Sequence, residues 1–121
     1  AVGQAAAPGR SLHQLALQYM RQRLDQPGWR VADLALELGV SARTLHRAFS
    51  QAGETVAGRW RQLRVERARD LLGQARFADL SMAAIGLRCG YSDASHFARD
   101  FQRVCGQSPL RWARGQRSDE P

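Results

Sequence analysis

Apolar residues recur every three or four positions through most of the chain, the spacing of one face of an α-helix. The segment after Ser11 is typical, because Leu12, Leu15 and Tyr19 fall on one such face. No segment alternates apolar and polar residues over several positions with the β-branched side chains of a strand. The pattern therefore predicts an all-α fold of seven helices with short connections.

Capping and breaking residues set the predicted helix boundaries. Serine before an apolar-periodic segment favours a helix start, and glycine after it favours a helix end. The sixth helix begins after either Ser92 or Asp93, and the seventh begins at Pro109, because proline suits a first helical turn. The predicted helices cover residues 12–25, 31–38, 42–52, 55–75, 82–89, 94–105 and 109–114.

The chain contains an internal repeat. In each copy a small residue precedes a glycine by four positions, and an apolar residue follows the glycine by six or seven, the pattern of a helix-turn-helix unit. The first copy is marked by Ala35, Gly39, Leu45, Arg47 and Phe49, and the second by Gly86, Gly90, Phe97, Arg99 and Phe101. The offset between copies grows from 51 (86 − 35) to 52 (97 − 45), so the second turn holds one extra residue.

The repeat divides the chain into five predicted segments. Residues 1–10, rich in alanine and glycine, are predicted to be a linker or the cut end of a longer polypeptide. The others are a first helix-turn-helix subdomain (11–54), a long linker helix (55–75), a second helix-turn-helix subdomain (76–114) and a flexible tail (115–121).

The second helix of each copy carries polar side chains opposite its apolar stripe. In the first copy the predicted inner stripe includes Ala52, and in the second it includes Val104. The predicted outer faces consist of Arg43, His46, Arg47 and Ser50 in the first copy and Ser95, His96, Arg99 and Arg103 in the second. The N-terminal end of such a helix enters a DNA major groove, whereas the alternative interpretation is an ordinary solvated arginine face.

Composition narrows the possible partners. The formal charge is +7, and all 18 basic residues are arginine, which favours polyanionic partners. Two cysteines are too few for a disulfide scaffold, and no cluster with zinc-ligand spacing occurs, so we expect a reduced, cytoplasmic protein without metal or cofactor. No apolar run approaches the ~18 residues that a membrane span needs.

The predicted linker helix also bears on DNA binding. At 1.5 Å per residue, about 20 residues give roughly 30 Å, close to the ~34 Å between successive major grooves on one side of B-DNA. A spacer of this length would place two reading helices in adjacent grooves. Its arginines are expected to divide between ion pairs with Glu66 and Asp70 and contacts with phosphates.

The sequence resembles the DNA-binding domain of the AraC/XylS family of bacterial transcription regulators. The segments VADLALELGVSARTLHRAF, RVERARDLL and IGLRCGYSDASHFARDFQRVCGQSP carry the resemblance, which covers roughly residues 12–114. It implies a homeodomain-like fold with two helix-turn-helix subdomains. It also implies binding of double-stranded operator DNA and a regulator, expected to be an activator, that contacts RNA polymerase and has an N-terminal effector-binding or dimerisation domain.

The resemblance also implies site residues. Base contacts fall on Arg43, His46 and Arg47 in the first unit and on Ala94, Ser95, His96 and Arg99 in the second. Phosphate contacts fall on Ser41, Thr44, Ser92 and Arg103, helped by backbone amides at the helix starts. The sequence departs from the family pattern at Gly86, where alanine is usual, and at Arg30, where a capping serine or threonine is expected. We therefore expect the first unit to read more bases and the second to act more as an anchor.

Three other functions remain as alternatives. An enzyme would need a cluster of catalytic side chains, whereas His13, His46 and His96 are widely separated in the sequence. A protein-interaction module would use Trp60, Tyr91 or Trp112 as surface anchors, although such residues at helical spacing usually belong to a core. A nucleic-acid binder without sequence preference would show the same charge.

Overall fold

The computed structural model describes residues 11–118 of the chain. Within that range it has seven α-helices and no strand, which confirms the predicted fold class. The helices are α1 (Leu12–Gln22), α2 (Val31–Leu38), α3 (Ala42–Gln51), α4 (Val56–Leu72), α5 (Met82–Arg88), α6 (Ala94–Cys105) and α7 (Pro109–Ser118), with a 3-10 helix at Ala75–Phe77. None of these helices is long and apolar enough to cross a membrane. The predicted linker at residues 1–10 lies outside the described residues.

Three helices end three or more residues away from the predicted position. Helix α1 ends at Gln22, because the N–H of Arg23 donates to the carbonyl of Met20, a three-residue step that closes the helix. Helix α4 has 17 residues and is therefore about 25 Å long, shorter than predicted. Helix α7 continues to Ser118, so residues 115–118 belong to a helix and not to a tail.

The described residues form two compact units. The first contains residues 11–23 and Trp29–Trp60, and the second contains Leu24–Gly28 and residues 61–118. The boundary between Trp60 and Arg61 falls inside α4, so neither unit coincides with a segment cut at the ends of the linker helix.

The core of the first unit lies where α1, α2 and α3 pack together. Met20, Leu34, Leu45 and Phe49 are completely buried there. The ring of His13 packs edge-on against Phe49, with 4.7 Å between ring centroids. These contacts hold α3 by its apolar face and leave its opposite face to solvent.

An aromatic cluster forms the core of the second unit. Phe97 and Phe101 of α6 are completely buried, and Tyr91 is 3% exposed. Trp112 of α7 packs edge-on against Phe101, with 6.2 Å between ring centroids. In the first unit Trp60 is 6% exposed. Trp60 and Tyr91 are therefore core residues, as predicted, whereas Trp112 is only partly buried against the core.

The two helix-turn-helix turns share one backbone pattern. Gly39 has φ 72° and Gly90 has φ 90°, both in the left-handed region that favours glycine. In the first turn the N–H of Val40 donates to the carbonyl of Ala35 at 3.0 Å, and in the second the N–H of Tyr91 donates to that of Gly86 at 2.9 Å. In each turn the N–H therefore bonds to the carbonyl five residues earlier, so α2 and α5 end in the same way.

Candidate nucleic-acid interface

Helix α3 presents the predicted reading face of the first unit. Oγ of Ser41 caps the helix by accepting the N–H of Thr44 at 3.1 Å. Burial of Leu45 and Phe49 fixes the orientation of the helix about its axis. Ala52, predicted to be on the inner stripe, is instead an exposed C-cap, because the helix ends one residue before it.

The predicted contact residues of α3 are all exposed. Arg43, His46 and Arg47 lie on the outer face, and the N-cap Ser41 and Thr44 of the first turn lie at its N-terminal end. None of the three basic side chains has a hydrogen bond or ion pair with another described residue. Their donors are therefore available to an external ligand.

Helix α6 presents the equivalent face of the second unit. Its predicted contact residues are all exposed: Ala94, Ser95, His96, Arg99 and Arg103. Val104, predicted to point inward, is 37% exposed. It lies in the last turn of α6, where helical periodicity alone does not determine whether a partner covers the side chain.

The N-cap of α6 is Asp93, which resolves the choice between Ser92 and Asp93. Its Oδ1 accepts the N–H of Ser95 at 2.7 Å and that of His96 at 3.4 Å. Exposed Ser92 precedes the cap and is the extra residue of the second turn. The carboxylate uses backbone donors that a phosphate would otherwise accept from, and its charge opposes a phosphate there.

Asp93 was not among the residues predicted to matter for binding. Aspartate is a preferred N-cap, and the change of offset from 51 to 52 placed the extra residue somewhere in the turn. Together these two signals were sufficient to favour Asp93.

The missing side chain of Gly86 on α5 leaves room for the ring of Phe97 on the facing helix α6. A Cβ at Gly86 would lie 3.0 Å from the Cγ and one Cδ of Phe97, which is tighter than most real contacts. The corresponding pair in the first unit is Ala35 and Leu45, both buried. The smaller residue at Gly86, where the first unit has Ala35, is therefore compensated by the larger Phe97, where the first unit has Leu45. The glycine is thus part of the packing of the second unit.

A polar cluster holds the second turn against α6 and α4. The hydroxyl of Tyr91 donates to Oδ2 of Asp100 at 2.8 Å, and Nε of Arg61 lies 3.7 Å from Oδ1 of the same carboxylate. The guanidinium of Arg64 lies 5.5 Å from the Tyr91 ring centroid. Burial, followed by the contact with Asp100, raises the pKa of Tyr91, so its hydroxyl stays protonated and able to donate.

The same cluster restrains His96 on the outer face of α6. Nε2 of His96 lies 3.3 Å from Oδ2 of Asp100, and its ring packs edge-on against Tyr91 at 5.1 Å between centroids. In the first unit, by contrast, His46 has no such partner among the described residues. Of the two histidines predicted to contact bases, His96 is therefore the more restrained side chain before DNA binds.

The arginines of α4 do not pair as predicted. Glu66 and Asp70 form no ion pair with an arginine anywhere in residues 11–118. Arg59 instead pairs with Glu54 at 2.7 Å, and Nε of Arg67 donates to the carbonyl of Arg88 at 3.1 Å. Contacts outside the helix replace the expected pairs because long arginine side chains reach neighbouring segments as easily as the next turn.

The described residues offer no chemistry for a metal or a reactive thiol. No group of three metal-binding side chains occurs within residues 11–118. Both cysteines are free. Burial raises the pKa of Cys89 to about 11 and also raises that of Cys105, so both thiols stay protonated at neutral pH.

The sequence is similar to a family of helix-turn-helix proteins and to individual transcriptional activators. The model of a helix-turn-helix domain family matches residues 34–115. The transcriptional activator NphR of a Rhodococcus species is 36% identical over 90 residues, which is 74% of this chain and 26% of that protein. The HTH-type transcriptional activator RhaS of Escherichia coli is 37% identical over 86 residues, which is 70% of this chain and 29% of that protein. The chain thus spans between a quarter and a third of these relatives.

Two solved structures of regulators have the same fold as this chain. An AraC-type DNA-binding regulator from Chromobacterium violaceum is 30% identical, with a TM-score of 0.74 over 87% of this chain and 91% of that one. The C-terminal domain of AraT, a response regulator from Geobacillus stearothermophilus, is 26% identical, with a TM-score of 0.79 over 88% of each chain. The chain belongs to the AraC/XylS family of transcription regulators, which are not enzymes, and its two units are the DNA-binding domain of that family.

Proposed function

We propose that this chain is the DNA-reading part of a bacterial transcription activator, with α3 and α6 inserted in adjacent major grooves of an operator. The observation that carries the proposal is the pair of exposed faces at equivalent places of the repeat, each with an arginine, Arg47 and Arg99. An arginine there has the planar fork that binds guanine O6 and N7 in a bidentate manner.

The two reading helices have different donor sets. Arg43, His46 and Arg47 supply the base contacts of α3, while Ser41 and Thr44 hold a phosphate at its start. In α6 the base contacts fall on Ser95, His96 and Arg99, and the methyl group of Ala94 meets a thymine methyl. Phosphate contacts in the second unit are assigned to Ser92 and Arg103.

The two units are proposed to contribute unequally. The neutral cap of α3 leaves positive potential at the helix start, whereas the carboxylate of Asp93 cancels it at the start of α6. Phosphate contact in the second unit should therefore depend on Arg103 more than on Ser92. The first unit then supplies most of the sequence information.

The names of the relatives suggest the role of the whole protein. NphR and RhaS are both named transcriptional activators, and each is more than three times as long as the matched segment. By analogy we propose a cytoplasmic activator that contacts RNA polymerase and whose further N-terminal domain binds an effector or a second copy. Repression is the alternative outcome.

Selection of bound sequences from a random duplex library tests the proposal. We expect a single preferred site and a footprint of about 17–20 base pairs with two protected blocks one helical turn apart. Binding of equal strength to all duplexes, with the same salt dependence, would identify a sequence-neutral nucleic-acid binder instead. A single protected block would contradict the use of both units.

A further inference from the structure

Two arginines pack on Phe77 in the second unit, outside the reading helix α6, and a third arginine bonds to one of them. The guanidinium of Arg76 lies 4.7 Å from the Phe77 ring centroid, and that of Arg88 lies 6.0 Å from it. Nε of Arg67 reaches the backbone carbonyl of Arg88 at 3.1 Å. We call Arg67, Arg76 and Arg88 the Phe77 arginine cluster; all three are exposed.

None of the three arginines of this cluster forms an ion pair with a carboxylate within residues 11–118. Elsewhere the chain does pair its arginines, as with Arg23 and Glu37 at 2.8 Å and Arg59 and Glu54 at 2.7 Å. Like charges gathered without a counter-charge repel one another, and an anionic ligand would relieve that repulsion.

The existing contacts hold the three guanidinium groups but leave most of their donors free. Each contact uses one nitrogen and a neutral acceptor: Nε of Arg67 donates to the Arg88 carbonyl, Nε of Arg76 to Oε1 of Gln74 at 3.1 Å, and Nη1 of Arg88 to the carbonyl of Ala84 at 3.3 Å. Both terminal nitrogens of Arg67 and of Arg76 therefore remain available as donors to a ligand. That fork matches two oxygens of a phosphate.

We infer that the Phe77 arginine cluster is a phosphate-binding site that grips the DNA backbone outside the base pairs read by α3 and α6. The inference rests on the proposed function, because the same unit carries α6. Its members lie on α4, the 3-10 helix and α5, so they add contacts that the reading faces cannot make. A phosphodiester backbone suits the site because it presents successive anions of one charge to three cations.

The test compares salt dependence between variants of equal charge. In the test variant Arg76→Gln is combined with Arg88→Gln. Arg67 keeps its contact there, because it bonds the backbone of residue 88. The control combines Arg21→Gln with Arg111→Gln, two exposed arginines of α1 and α7 whose side chains have no partner among the described residues. Both remove two charges, and thermal melts confirm that each is folded.

On the selected operator, with at least ten base pairs of flanking duplex, the slope of log Kd against log salt should fall by about two in the test variant. The control should lose clearly less. Replacing Arg76 and Arg88 by lysine should keep most of the slope, because the charges remain. Shortening the flanking duplex should weaken the wild type and leave the test variant nearly unchanged.

Equal slopes for test and control would overturn the inference. So would unchanged DNA binding with lost activation of a reporter, which would assign the cluster to an acidic protein partner. Failure of the proposed function looks different, because the wild type itself would then show no preferred duplex.

Discussion

The hydroxyl of Tyr91, in the turn before α6, donates a hydrogen bond to the carboxylate of Asp100, two turns along that helix, at 2.8 Å. The first unit has Val40 and Ala48 at the corresponding places, so it lacks this bond. The second turn is one residue longer, and the bond ties it to the body of the reading helix. Arg61 of α4 approaches the same carboxylate.

Tyr91→Phe should destabilise the domain by about 1–2 kcal/mol, because it removes a hydrogen bond to a charged, largely buried acceptor. Urea unfolding followed by circular dichroism measures this loss. Tyr19→Phe is the matched control, since no hydrogen bond of the Tyr19 hydroxyl occurs within the described chain, and we expect a change below about 0.5 kcal/mol. Equal effects of the two substitutions would show that the Tyr91–Asp100 bond contributes nothing specific.

The close packing of Gly86 against Phe97 predicts that the effect of Gly86→Ala on stability changes sign when Phe97 is shortened. Gly86→Ala should destabilise the wild type, because the new methyl group meets a completely buried ring that other aromatic residues hold in place. In a Phe97→Leu background the same substitution should stabilise by up to about 1 kcal/mol, through helix propensity and the filled space. A double-mutant cycle measures the coupling, and additivity of the two changes would contradict it.

Exchange of the two caps tests the asymmetry between the reading helices. Ser41→Asp keeps a good N-cap but places a negative charge at the start of α3, so operator affinity should fall while the melting temperature stays nearly constant. Asp93→Ser should raise affinity, most at low salt. Titrations at two salt concentrations measure both. If neither cap affects affinity, phosphates do not approach the helix starts.

Glu54 predicts an acid-sensitive first unit. Burial raises its pKa, but hydrogen bonds from Arg59 and His13 outweigh burial and hold the pKa below its usual 4.5. The charged form is thus favoured by folding, so its contribution is complete above pH 4.5 and is lost as the pH falls through the lower, folded pKa. Urea unfolding from pH 6 to pH 3 should show a shallower loss for Glu54→Gln. A profile parallel to the wild type would refute this.

Local signals in the sequence were sufficient to predict the seven helices and the internal repeat. Glycine and serine predicted helix ends within a few residues, because caps act on neighbouring backbone groups. Contacts between distant segments were not predictable in this way. The bond of Arg67 to the carbonyl of Arg88 and the match of Gly86 to Phe97 each depend on tertiary packing. The Asp93 cap, by contrast, is a local feature that the sequence itself favours over Ser92.

The central claim is that both reading helices contact bases, and titration of Arg47→Ala and Arg99→Ala against the selected operator and an unrelated duplex of equal length tests it most directly. Each substitution should weaken operator binding by about 1–3 kcal/mol, and weaken binding to the unrelated duplex much less, if the arginine makes a bidentate base contact. Equal losses on both duplexes would assign the arginines to phosphates. Unchanged binding in either variant would contradict the assignment of that face to the DNA.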